Sequence, residues 1–132
     1  MGDRAIVHFV TGTEISPATY LHWGGYKVGG LLAKTRELMK HREEDVAYTS
    51  ARFTGICHQA TDGNLSLGVW NAPRAEYAEA LATIRTKDYS HGDAGVFIVH
   101  LPQWEVETQG GYGFKAGDKE DRHGLPTFTP PA

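Results

Sequence analysis

A length of 132 residues suits one domain and is too short for two independent hydrophobic cores of ordinary size. The hydrophobic fraction of 40% and the charged fraction of 22% are those of a folded globular protein, which excludes a disordered chain. The formal net charge of -3 provides no global basic field for phosphate backbones, so binding to nucleic acid is not expected.

The first elements along the chain predict a β-hairpin followed by a helix. Residues 5–10 are short and β-branched, and residues 19–23 follow Pro17, which is typical of an edge strand or of the shoulder of a turn. These two strands are expected to pair in antiparallel fashion. Apolar side chains then recur at helical spacing over residues 28–39, which predicts the clearest amphipathic helix of the chain.

Two more helices and three more strands are predicted in the rest of the body. Asp45 is a suitable N-cap for a second helix that residues 62–64 end, and Pro73 suits the first turn of a third helix. The three strands are predicted over residues 65–70, over residues 94–101, which are apolar on both faces and so internal to the sheet, and over residues 104–108.

The element order β-β-α-α-β-α-β-β predicts a single α+β domain over residues 1–108. We expect a mostly antiparallel sheet of four or five strands with two or three helices packed on one face. Residues 109–132 form a tail rich in Gly and Pro. This tail is expected to pack on the domain or on a partner through Phe114, Leu125 and Phe128.

One cysteine, Cys57, excludes an internal disulfide and a cysteine-based zinc site. The amino terminus has no apolar stretch of signal-peptide length, and no run approaches the roughly 20 apolar residues that cross a bilayer. A membrane role is therefore not expected, and a reducing, cytoplasmic setting is predicted.

The glycine loop and the strand histidines are the first candidates for a binding site. Residues 24–30 join a strand to a helix and would suit an anion, but Leu31 stands where a phosphate-binding loop requires lysine, and simple turn glycines are the other interpretation. His8, His22 and His100 lie on predicted strands and would suit Zn²⁺ if they converged. Without His-Glu-x-x-His or paired cysteines, we expect histidines that face solvent or form separate hydrogen bonds, and no metal.

No catalytic pair is predicted either. Cys57 and His58 point about 100° apart on a helix, so they do not form a nucleophile and its base. Glu105 and Glu107 share one face of the last strand, where paired carboxylates could act in acid–base chemistry. We favour the interpretation that they face solvent on an edge strand and prevent aggregation. No catalytic residue and no cofactor is therefore predicted, and a non-enzymatic role is favoured.

The aromatic residues exceed what a small core readily absorbs. Tryptophan and tyrosine near sheet edges and glycine turns are typical anchors of protein interfaces. The alternative is that Trp23 and Trp70 cover the open face of the sheet internally. The predicted interface residues are Tyr26, Trp70, Trp104, Tyr112 and Phe114.

Gly2-Asp3-Arg4 and His22-Trp23-Gly24-Gly25 resemble the pattern of a family of short bacterial and phage-associated proteins. These proteins open with Gly-x-Arg before the first strand and carry a His-Trp-x-Gly turn after the second. Ala51-Arg52-Phe53 and Gly68 also fall where the pattern has similar residues, and the resemblance covers residues 2–108. It implies a shared fold but no mechanism, and the third helix and the tail depart from it.

An antiparallel hairpin brings Arg4 and His22 to the same end of the sheet. An arginine, a histidine, a tryptophan and a glycine turn at that end would suit a carboxylate or phosphate group. The interpretation that we favour is structural, with Arg4 stacked on Trp23. The ligand-binding residues predicted by the first interpretation are Arg4, His22, Trp23, Gly24, Gly25 and Lys27.

Small size, mild acidity, surplus aromatics and the lack of a catalytic motif together predict a protein-interaction domain. Its partner is expected to be a second copy, in a homodimer, or a host protein bound by a phage or mobile-element accessory protein. The alternative is a small ligand-binding domain or enzyme with an anion or metal site near Arg4, His22 and the glycine loop.

Overall fold

The computed structural model describes residues 2–61, 65–114 and 123–131. The elements follow the predicted order β-β-α-α-β-α-β-β. The residues predicted to end the second helix, 62–64, and part of the tail, 115–122, lie outside the described residues. The strands are β1 (Ala5–Val10), β2 (Ala18–Leu21), β3 (Leu67–Trp70), β4 (Gly95–His100) and β5 (Glu105–Gln109), and the helices are α1 (Val28–Leu38), α2 (Val46–Ala60) and α3 (Tyr77–Ile84).

The strands form one mixed sheet in the order β3-β2-β1-β4-β5. Three of the four neighbouring pairs are antiparallel, including the β1–β2 hairpin, whereas β1 and β4 are parallel. The prediction of a mostly antiparallel sheet is therefore confirmed. The parallel pair arises because the chain passes over one face of the sheet through α3 before β4 is added beside β1.

Strand β1 supplies side chains to two hydrophobic layers, and all six of its residues are buried. Val7 and Phe9 lie in the layer that contains the apolar residues of α1 and α2. Ile6 and Val10 lie in the other layer, together with the α3 residue Ile84. Because successive strand residues point to opposite faces, α1 and α2 cover one face of the sheet, as predicted, and α3 covers the other.

Helix α2 begins at the predicted N-cap. The Asp45 backbone is extended, and its carboxylate accepts a hydrogen bond from the Tyr48 N–H at 2.9 Å. This bond satisfies one of the first helical N–H groups, which have no partner inside the helix. No helix in the described part of the chain is long and apolar enough to cross a membrane.

The outer side of β5 is covered by the C-terminal part of the chain. The Val106 N–H donates to the Pro126 carbonyl at 2.8 Å, and the Phe128 N–H donates to the Val106 carbonyl at 2.9 Å. Leu125 is buried in the core, and the Phe128 ring stacks on His100 with 3.6 Å between ring centroids. Strand β5 is therefore hydrogen-bonded on both sides.

Glu107 is buried, with 1% of its surface exposed, which corrects the prediction that it faces solvent beside Glu105. Its carboxylate accepts two hydrogen bonds from Arg85, at 2.7 and 2.8 Å, one from His100 at 2.9 Å and one from Gln109 at 2.8 Å. Burial alone would raise the pKa of Glu107, but these bonds outweigh burial and lower the pKa to about 2. A carboxylate with four donors has a structural role.

We expect the Glu107 network to make stability depend on acid. Because the folded pKa of Glu107 is about 2 and its ordinary value is 4.5, its stabilisation is present above about pH 4.5 and lost as pH falls toward 2. Glu107→Gln should remove about 2 kcal/mol of the stability lost between pH 5 and pH 3. Urea unfolding at both pH values measures this, with Glu105→Gln as the matched control. An equal acid slope in wild type and Glu107→Gln would contradict the expectation.

Candidate functional site at the open sheet edge

Strand β3 is the other outer strand of the sheet, and no described residue hydrogen-bonds to its outer side. On its inner side, the His22 N–H donates to the Ser66 carbonyl at 3.0 Å. Hydrogen-bonded pairs alternate along antiparallel strands, so the N–H and C=O groups of Leu67 and Val69 point away from β2. These outward groups are where another strand can add.

The outer side of β3 is also apolar and uncharged. Residues 65–73 contain no charged side chain. Leu65 is 99% exposed, Val69 56% and Trp70 38%. Natural sheets usually prevent an outer strand from pairing with other chains by means of charge, proline, a bulge or a covering segment. Among the described residues, β3 has only its short length and Pro73 beyond its end to prevent such pairing.

Three aromatic rings lie close together beside Gly68, on the α3 side of the sheet. The ring centroids of Tyr20 and Trp70 are 5.2 Å apart, those of Tyr20 and His91 are 5.5 Å apart, and those of Trp70 and His91 are 6.2 Å apart. A Cβ atom at Gly68 would contact only the Tyr20 side chain, at 3.7 Å, so the space above this residue is open. We call Tyr20, Gly68, Trp70 and His91 the aromatic notch.

Buried hydrogen bonds connect His8 with residues on both sides of it. The Tyr89 hydroxyl lies 2.6 Å from His8 Nε2. His8 Nδ1 is 2.9 Å from the Ser16 carbonyl, which can only accept, so Nδ1 donates and Nε2 accepts. Burial lowers the pKa of His8 to about 4, and the ring is therefore neutral at pH 7. Tyr89, two residues before His91 of the notch, is thus tied to the buried strand β1.

Arg4 and His22 lie at the same end of the sheet, as the hairpin predicts. The predicted stacking of Arg4 on Trp23 is not observed, because Arg4 Nε donates to Asp93 at 2.7 Å instead. This hydrogen bond lowers the pKa of Asp93. His22 Nδ1 lies 2.7 Å from the Tyr20 hydroxyl, and Trp23 packs edge-on against the His22 ring with 4.8 Å between centroids.

The predicted ligand-binding residues do not all line one cavity, although Trp23 packs on the His22 ring. Trp23, Gly24 and Lys27 line a cavity of about 140 Å³ beside α1, and neither Arg4 nor His22 lines any of the four cavities described for the protein. The six predicted residues therefore do not share one cleft.

Asp3 organises the glycine loop and two of the predicted interface residues. The Gly25 N–H donates to the Asp3 carbonyl at 2.7 Å, and a Cβ at Gly25 would lie 2.7 Å from both that oxygen and Ala94. The Asp3 carboxylate accepts from the Tyr26 N–H at 2.9 Å and from the Tyr112 hydroxyl at 2.6 Å. Gly25 is therefore a packing residue, whereas the rings of Tyr26 and Tyr112 remain exposed.

Trp104 does not lie on the surface, which corrects its place in the predicted interface. It is 1% exposed and packs against Phe9 with 5.7 Å between ring centroids. It is buried because it precedes β5 at the point where Val106 and Leu125 complete the core. Phe114 is half-buried and packs on Phe97, with centroids 5.3 Å apart.

The strand histidines do not converge on a metal. His8 bonds to Tyr89, His22 to Tyr20 and His100 to Glu107, at distances between 2.6 and 2.9 Å. Within the described ranges, no group of three His, Cys, Asp or Glu side chains could hold a metal ion. Burial raises the pKa of the Cys57 thiol to about 12, so this thiol is unreactive at neutral pH.

Sequence reasoning identified Trp70 but missed the residues around it. Tyr20 and His91 are far apart in the chain, and they meet because α3 and the residues after it lead the chain from β3 back across the sheet to β4. A signal was available in residues 65–73, where an apolar strand has no charge on either side and a glycine at its centre.

Comparison of the chain with models of protein families, with curated proteins and with solved structures finds no match. The function of the chain therefore has to be inferred from the geometry of the described residues.

We expect His8 to make stability depend on pH in a higher range than Glu107. Its folded pKa of about 4 lies below the ordinary 6.5, so the unfolded chain binds the proton first and stability is lost as pH falls from about 6.5 toward 4. His8→Gln should remove about 2 kcal/mol of the loss between pH 7 and pH 5. Urea unfolding at the two pH values tests this, and His58→Gln, at an exposed histidine, should keep the wild-type slope.

Proposed function

We propose that this chain is a non-enzymatic protein-interaction domain that receives an extended strand of its partner on the outer side of β3. The observation that carries the proposal is the contrast between the two outer strands. The C-terminal residues hydrogen-bond to β5, whereas β3 presents outward N–H and C=O groups that no described residue binds, together with uncharged, exposed side chains. Strand addition would give affinity through main-chain hydrogen bonds at Leu67 and Val69.

The aromatic notch supports specificity at the same edge. Trp70 is partly exposed, and tryptophan is the residue type that most often dominates interface energetics. Its ring packs beside Tyr20 and His91, which restricts the indole before a partner arrives and reduces the entropy lost on binding. The open space above Gly68 would accept a side chain of the added strand.

The partner class follows from the resemblance and the surface. A host protein bound by a phage or mobile-element accessory protein and a second copy of the chain are the two partners that the proposal includes. We place the encounter in the cytoplasm, where the lone buried thiol of Cys57 suits a reducing environment.

A ligand-binding function is the second candidate, and the cavity beside α1 is the observation in its favour. Trp23, Gly24 and Lys27 line it. Its volume of about 140 Å³ is below the roughly 300–1,000 Å³ of typical ligand sites, and the adjoining cavity of about 410 Å³, which shares Lys27 and Leu31 with it, is wide open to solvent, so strand addition is preferred. Amide shift changes at Gly24 and Lys27 on titration with inorganic phosphate would support this candidate, and unchanged shifts would remove it.

Photo-crosslinking in the producing cells tests strand addition. A photoreactive amino acid at position 69 should give a specific protein adduct, because the Val69 N–H and C=O groups face the added strand and its side chain lies beside that strand on the α2 side of the sheet. The same group at Leu38, which is 62% exposed on α1, is the matched control. The captured protein is then identified, purified and added to the chain, and it should slow amide exchange at Leu67 and Val69 by about tenfold or more.

Two results would contradict strand addition. One is a set of adducts at position 69 that does not differ from the set at position 38. The other is a purified partner that binds the chain but leaves the exchange of the Leu67 and Val69 amides unchanged, since an added strand must use those groups.

A further inference from the structure

We propose that the strand received by β3 is β3 of a second copy, so that two five-stranded sheets join into one continuous sheet. This inference rests on the proposed function, because it uses the same outer side of β3, and it names the partner. Pairs of identical chains usually associate about a twofold axis, with the same patch on both copies. A strand that pairs with itself about such an axis is antiparallel.

The faces of the sheet restrict the register of this pairing. Trp70 and Gly68 lie on the α3 side, whereas Val69 is paired with Thr19, whose side chain bonds to Thr54 of α2 on the other side. Directly opposed residues of an antiparallel pair must point to the same face. One residue of the strand therefore lies directly opposite the same residue of the partner, and the twofold axis passes midway between these two copies.

Among the residues of the strand, Val69 is the best position for the axis. An axis through Gly68 would oppose two glycines and leave the centre of the interface without side chains. An axis through Val69 opposes the two Val69 side chains, and their outward N–H and C=O groups can then bond to each other. It also places the partner's Trp70 opposite Gly68.

The pairing of Gly68 with the partner's Trp70 fills the aromatic notch. The space above Gly68 is bounded by Tyr20 on the inner side and is open toward the partner. An indole that lies over a cross-strand glycine covers its backbone and compensates for the missing side chain. Each chain contributes one tryptophan and one notch, so the surface is complementary to itself.

Charge and the flanking residues support the same register. No charged residue occurs in residues 65–73, so no like charges face each other across the axis. Beyond the strand, the register brings Leu65, which is 99% exposed, toward the partner's Pro73. The contact between copies is therefore uncharged along its length and mostly apolar.

Gly68→Val tests the notch in purified full-length protein. A Cβ at this position meets no atom closer than 3.7 Å within the chain, and valine favours strands, so the fold should keep its thermal stability. The larger side chain should block the partner's Trp70 and weaken dimerisation about tenfold or more. Light scattering coupled to size-exclusion chromatography measures the mass, and Leu38→Lys on α1 should remain a dimer.

Val69→Cys tests the register. Opposed residues in a strand pair have Cα atoms close enough for a disulfide, so mild oxidation should link two chains through position 69. The native Cys57 is buried and should not contribute. Leu38→Cys provides the control. A dimer that does not crosslink at position 69 would overturn the register.

The outcomes separate this inference from the proposed function. A wild-type monomer at high micromolar concentration, or a Gly68→Val variant that is as dimeric as wild type, would overturn self-pairing. If a different protein is then captured at position 69 and protects the β3 amides, strand addition stands and only the second copy is wrong. If neither self-pairing nor a captured protein is found at β3, both proposals fail.

Discussion

A sheet has two outer strands, and the backbone N–H and C=O groups on their outer sides need partners or must remain in water. In this protein that constraint is met in two ways. Residues 126–128 bond to β5 and bring Leu125 and Phe128 onto the body of the domain. Strand β3 has no such cover in the described residues, and the exposed side chains of Leu65, Val69 and Trp70 lie on it or directly beside it. The proposed interaction follows from this difference.

The polar groups on the α3 side of the sheet make this asymmetry possible. His8 and Glu107 are buried on that side, and each is fully hydrogen-bonded, which avoids the cost of an unpaired polar group in the interior. One network includes Tyr89 and the other includes Arg85, and both residues follow the short helix α3 in the chain. Leu81 and Ile84 of α3 pack in the hydrophobic layer on the same side of the sheet.

Local sequence patterns predicted the elements and their order, because apolar spacing, the Asp45 cap and the turn residues act over a few positions. They did not predict that β4 lies parallel to β1, since nothing near either strand encodes a partner some 90 residues away. The same limit explains the errors at Glu107, Trp104 and Arg4. Each of these side chains is controlled by a residue distant in sequence, namely Arg85, Phe9 and Asp93.

The segment that covers β5 also has a consequence for the order of events during synthesis. A ribosome makes β5 before residues 125–128, so an emerging domain has both outer strands unpaired until this segment leaves the exit tunnel. During that interval the nascent chain is more prone to associate with neighbouring chains than the finished domain. Once residues 126–128 have bonded to β5, β3 is the outer strand of the described sheet that no described residue covers.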